Sequence, residues 1–256
     1  MLLDLRASSR AHRPVVPHLP HLSALARATW LGRMVNEHGS SRVFEALADQ
    51  IDAAGMGTAR SAACRKFAEE ERMHGALCGA VVEALGGEAC ANGLDETPFP
   101  VHTAVAPIVG VLRNVVSICC MAETVAVSLI AAERMEMPEG PLRALLTRIW
   151  ADEIGHARFG WKLVAGILPN LGAEQREGID AYLGVAFRHL EEHELGHLSP
   201  DSCPPREGAA LGLCNGAHSR ALFYATVEET IVPELTALGL SAERAWRGRA
   251  GRALSS

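Results

Sequence analysis

Two stretches decide the fold: Phe67–Leu85, "FAEEERMHGALCGAVVEAL", and Ile149–Val164, "IWADEIGHARFGWKLV". Each carries Glu-x-x-His, as Glu71 with His74 and Glu153 with His156. Residues three apart lie on one face of an α-helix, so each motif aims a carboxylate and an imidazole in one direction. Apolar residues at helical spacing surround both motifs, which turns that face toward a core. A carboxylate facing a core is costly unless a partner or a metal meets it.

Further carboxylates answer when the other helices are read the same way. The segment 115–132, "VVSICCMAETVAVSLIAA", holds one charge, Glu123, in a run that is apolar all round. Such a run is also long enough for a membrane span, but a lone apolar helix among amphipathic neighbours is expected at the centre of a helical bundle. The first helix, "WLGRMVNEHGSSRVFEAL", offers Glu37 within its core stripe, with Arg33 as an alternative surface partner for it. Each half of the chain thus supplies one Glu and then a Glu-x-x-His, an internal two-fold repeat of ligands.

Two divalent ions close together need neutralising charge, which four carboxylates supply, while one imidazole per metal completes each side. By position Glu71 and Glu153 are expected to bridge. Glu37 and His74 then complete one metal, and Glu123 and His156 the other. A ligating histidine usually gives its second ring nitrogen to a carboxylate. Asp152 and Glu70, each just before a bridging glutamate, are the candidates, with Asp152 paired to His74 across the bundle.

The rest of the chain is read as helix, at about 21–54, 59–86, 104–136, 139–168, 173–197 and 217–238, without a strand-like alternation of β-branched residues. Long connections fall at 87–103 and 198–216. The expected fold is all-α: one domain over 1–256, with a four-helix bundle at about 21–168 and additional C-terminal helices at about 173–238. With 256 residues, 48% apolar content and net charge -6, a substantial core is available and no basic stripe marks a nucleic-acid partner. Seven cysteines without C-x-x-C pairing fit reduced thiols. The first twenty residues lack the apolar run of a secretory signal, so a cytoplasmic location is expected. A homodimer fits a weakly polar bundle, with no face assigned to it.

Over about residues 25–165 the set E...ExxH...E...ExxH resembles the ferritin-like di-iron carboxylate superfamily. The two quoted stretches are similar to the corresponding helices of rubrerythrins and aldehyde-deformylating oxygenases; the latter also carry helices after the bundle. The resemblance implies O2 or peroxide chemistry at two iron ions, with manganese as the other metal found in such sites. Two departures narrow it. Ala126 stands where rubrerythrins place an extra glutamate and no rubredoxin-type C-x-x-C pair is present, which argues against a peroxidase. Ile149 stands where the arylamine N-oxygenases carry an additional histidine. The expected activity is therefore a di-iron oxidase or oxygenase for a small, apolar organic substrate, fed by an external donor such as a ferredoxin or a reductase. Ferroxidase or rubrerythrin-like peroxidase activity is the alternative. The stretch from 173 onward, including 221–238, "ALFYATVEETIVPELTAL", is apolar enough that it is expected to cover a substrate pocket.

One competing motif lies in "HLEEHELGHLSPDSC": His193-Glu194-x-x-His197 matches the zinc-peptidase pattern H-E-x-x-H. With His189 it forms a ridge at helical spacing among glutamates, as a solvated face does. Pro200 and Cys203 occupy the positions where metzincins continue with glycine and histidine. Glu228 or Glu229 would be the distant third ligand.

Overall fold

The computed structural model describes residues 2–92 and 98–249. Its secondary structure is almost wholly helical. Helix α1, Ser23–Ala53, and helix α2, Thr58–Ala84, lie side by side, and the link between them is so short that they must run antiparallel. Gly55 and Gly57 in that link have φ of 65° and 99°, values open to glycine at little cost.

Helix α3 spans Pro107–Glu136 in three parts: an α segment to Val115, a π-helical segment Val116–Ala122, and an α segment from Glu123. Pro107 sits in its first turn, where its missing N–H costs nothing. A second short link leads to α4, Pro141–Ile167, which packs back along α3. By length and apolar content α3 could cross a membrane. Its buried side, including Val109, Leu112, Val116 and Val125, instead joins the larger apolar cluster of the structure.

Helix α5 occupies Ala173–His197. Helix α6 runs from Gly216 through a second π-helical segment, Val227–Ile231, to Ala237, and α7 is Ala242–Gly248. Both α5 and α6 rest on α3, and α7 packs on α5. The six expected helices are all found, with ends within three residues of expectation. The structure adds α7, the short turn Arg6–Ser9, and a strand pair, Leu2–Asp4 antiparallel to Cys90–Asn92. Three-residue strands are too short to show an alternation, and this pair pins the start of the 87–103 connection. Residues 93–97 of that connection lie outside the described residues, as do residue 1 and 250–256 of the expected domain.

Two apolar clusters form the core. One gathers Phe44, Leu47, Phe67, Leu112, Met121, Phe187 and Phe223; the other gathers Trp30, Met34, Leu77, Val81, Leu146 and Ile149. Burying side chains of this size contributes roughly 1.5–3 kcal/mol each. Glu37 on α1 lies between Met34 and Phe44, and Glu153 on α4 lies between Ile149 and Leu163, so the carboxylates fall where the two clusters meet.

Candidate metal centre

The six sequence-selected residues come together. Glu37, Glu71, His74 and Glu153 can each bring one ligand atom within 4.8 Å of all the others, and so can Glu71, Glu123, Glu153 and His156. Glu71 and Glu153 belong to both groups. This is the expected bridging pair, and it gives each group three carboxylates and one imidazole. Glu71, Glu123 and Glu153 are buried and both histidines are 0% exposed, whereas Glu37 keeps 16% of its side chain in solvent.

Helix phase explains the convergence. The motifs on α2 and α4 face each other, and α1 and α3 each present one glutamate from the flank. Glu123 is the first α-helical residue after the π-helical segment of α3. A π turn inserts extra backbone and re-aims the side chains that follow it. The close approach of α4 to this segment depends on Gly160, because a Cβ there would lie 2.3 Å from the Cys119 Cβ.

The imidazoles are oriented from behind. His74 Nε2 is 3.1 Å from Asp152 Oδ2, and His156 Nε2 is 3.1 Å from Glu70 Oε2. The Asp152 pairing is the one expected, and Glu70 takes the mirror role. Lys66 in turn pairs with Glu70. With each Nε2–H donated outward, each Nδ1 faces the carboxylates and would ligate a metal there on giving up its proton. His74 Nδ1 lies 3.2 Å from Glu153 and 3.6 Å from Glu37, and it is buried without a hydrogen-bond partner. His156 Nδ1 lies 3.0 Å from Glu153, 3.2 Å from Glu71 and 3.8 Å from Glu123. Phe44 and Phe67 pack on the His156 ring, with centroids at 5.1 and 4.4 Å.

The electrostatics call for a cation. Burial pushes Glu37 above the usual carboxylate range; His74 pulls it down and the Glu71 charge raises it again. Glu123 is pushed up to about 8 by burial and by the neighbouring Glu153, against the pull of His156. Burial works against a charge on either histidine, yet the carboxylates around them overrule it and hold both well above the usual imidazole range. Four carboxylates around two imidazoles thus compete for any positive charge within reach. A metal ion supplies that charge without protons, and the orphaned His74 Nδ1 faces the place one would occupy. The oxygen and imidazole donors fit first-row divalent ions. The cluster could hold a metal ion, and its donors do not single out which.

A cavity of about 400 Å³ opens beside Glu37. The sequence pointed to the stretch from 173 onward as its cover, and the 221–238 part of this is corrected: α1, α3, α4, the end of α5 and the 198–216 connection make the wall, with Cys78 of α2 and Ser219 of α6. From the 221–238 stretch, Leu222 lines a smaller neighbouring space of about 230 Å³. The suggested surface pairing of Arg33 with Glu37 is also corrected. Arg33 binds Glu133 through two hydrogen bonds of 2.8 Å and lies over the Trp30 ring, which leaves Glu37 to the cluster. Glu133 is buried, and nothing local in the sequence links it to a residue one hundred positions earlier.

The histidine ridge stays outside the centre. His189, His193 and His197 are exposed; the first two stack with centroids 6.1 Å apart, and His193 meets His197 edge to face at 5.0 Å. Among the described residues, neither potential metal group includes His193 or His197. Glu228 accepts a hydrogen bond from Trp246 instead. Of the other tryptophans near the site, Trp150 donates to the Val127 carbonyl and Trp161 to Thr124 Oγ1. Compared with protein-family models, curated proteins and solved structures, the chain matches none of them significantly.

Proposed function

We propose that this chain is a ferritin-like di-iron carboxylate enzyme, an oxidase or oxygenase that uses O2 on a small organic substrate held beside Glu37. The observation that carries the proposal is the pair of three-carboxylate, one-imidazole groups that share Glu71 and Glu153. Four carboxylates against two divalent ions leave the centre near neutrality, and such a donor set suits iron, with manganese the other candidate. When bound, an iron pair supplies the redox chemistry that reduces O2.

The protein's own groups do the rest. Glu71 and Glu153 span the two positions, while Glu37 with His74 and Glu123 with His156 close them. Asp152 and Glu70 fix the ring orientation, and the apolar cavity wall holds the substrate and limits water. Insertion of one oxygen atom consumes two electrons and two protons per O2 and releases water, so an external donor such as a ferredoxin or a reductase completes the reaction. The cavity favours this activity over ferroxidase or peroxidase chemistry, since neither an iron ion nor peroxide needs an apolar space of about 400 Å³. The same proposal has the chain acting in the cytoplasm, with α3 inside protein rather than bilayer.

The test is metal content after anaerobic loading with Fe(II), followed by the optical change on adding O2. About two irons per chain are expected, lost in His74→Ala and Glu123→Ala and retained in His193→Ala, with a transient O2-dependent absorbance. One zinc per chain that depends on His193, or iron that survives His74→Ala, overturns the proposal.

A further inference from the structure

The end of α5 lies along the cavity, and there the otherwise unused sequence His193–His197 turns two residues toward it. Glu194 lines the cavity together with His197, while His193 faces solvent. The remaining wall is mainly apolar, with Leu129, Ile130, Leu146, Ile149 and Leu213 on it.

The charged groups that face this space can be assigned one by one. Glu37 points into the metal cluster. Arg33 and Glu133 satisfy each other through two 2.8 Å bonds. Glu194 is partly buried and makes no hydrogen bond or ion pair with any described residue. Burial pushes its carboxyl up to about 7, and the nearby Glu123 charge adds to the effect. A carboxylate set without a partner against apolar surface is costly until a cation or a hydrogen-bond donor meets it.

We propose that the cavity takes a small apolar molecule bearing a protonated amine, with Glu194 receiving the ammonium group and the Leu129–Ile149 wall receiving the hydrocarbon. The proposal names the substrate class of the oxidase and rests on that reading for the chemistry, while the binding stands on the cavity alone. An anionic ligand would meet three carboxylates and one guanidinium already engaged, which selects against it. A neutral apolar ligand would leave Glu194 unpaired. A charge-assisted hydrogen bond contributes about 1.5–3 kcal/mol, or roughly ten- to a hundredfold in affinity.

The experiment is calorimetric titration of the full chain, loaded with metal, with 2-phenylethylamine, 2-phenylethanol and 3-phenylpropionate at about pH 8, where the amine is still protonated. The amine is expected to bind about tenfold or more tighter than the alcohol, and the carboxylate weakest. In Glu194→Gln the amine falls to the affinity of the alcohol, which is unchanged. Leu129→Trp fills the wall and weakens amine and alcohol together. Equal or weaker binding of the amine relative to the alcohol in the wild type overturns the proposal, as does an amine affinity that Glu194→Gln leaves unaltered. Metal content, measured on the same samples, reads the centre separately, so either conclusion can fail without the other.

Discussion

Two glycines on α4, one on each side of His156, should respond in opposite directions to the same methyl group. At Gly155 an added Cβ meets nothing within 4 Å. Gly155→Ala therefore gains the helix propensity of alanine, about 0.5–1 kcal/mol. At Gly160 the Cβ falls 2.3 Å from the Cys119 Cβ and 3.0 Å from its carbonyl carbon, against an ordinary contact of 3.4–4 Å. Cβ and backbone atoms have no rotamer by which to yield, so α4 and the π-helical segment must separate by about 1 Å to restore contact. Overpacking of this kind costs typically 1–3 kcal/mol, of which propensity returns up to about 1. Both variants share the propensity gain, so they should differ by the overpacking cost, about 1–3 kcal/mol, read as denaturant midpoints of the metal-free protein at constant m-value. Because Glu123 follows the displaced segment and faces His156, Gly160→Ala should also hold less iron than Gly155→Ala. A Gly160→Ala protein as stable as Gly155→Ala would refute the close packing of α4 on α3 from which the site geometry is argued.

Asp152→Asn should lower metal affinity about 10- to 100-fold with little change in fold stability, since Asp152 sets the His74 ring from behind; competition against a chelator measures it. Arg33→Met should cost about 3–5 kcal/mol by leaving buried Glu133 without its partner, and the double change with Glu133→Leu should recover most of that loss in urea melts.

Much of the centre was legible because its information is local. Glu71 with His74 and Glu153 with His156 are fixed relative to each other by a single helical turn. The phase of each helix is in turn set by apolar neighbours such as Phe67 and Ile149, which no tertiary detail was needed to find. Glu123 stood out as the one charge in an apolar run, and Glu70 and Asp152 followed by adjacency. The π-helical segment before Glu123 was not legible, because Val116–Ala122 is apolar on every side and one extra residue in a turn leaves no trace in such a pattern.

The cavity was legible only in part, for a different reason. Its wall includes the 198–216 connection, which has no periodicity to read, and that connection is placed by long-range contacts. Trp30 Nε1 donates to the Leu211 carbonyl, and the next residue, Gly212, adopts φ 77° against Trp30 and Glu133. The Arg33–Glu133 pair rests on the same wall, so the residues that shape the cavity hold one another across three distant parts of the chain. A helix turn can align metal ligands on its own, but a binding space exists only after such parts meet. The reaction class can therefore be argued from two short motifs, whereas the choice of substrate has to be argued from the assembled wall, where Glu194 is the carboxylate left without a partner.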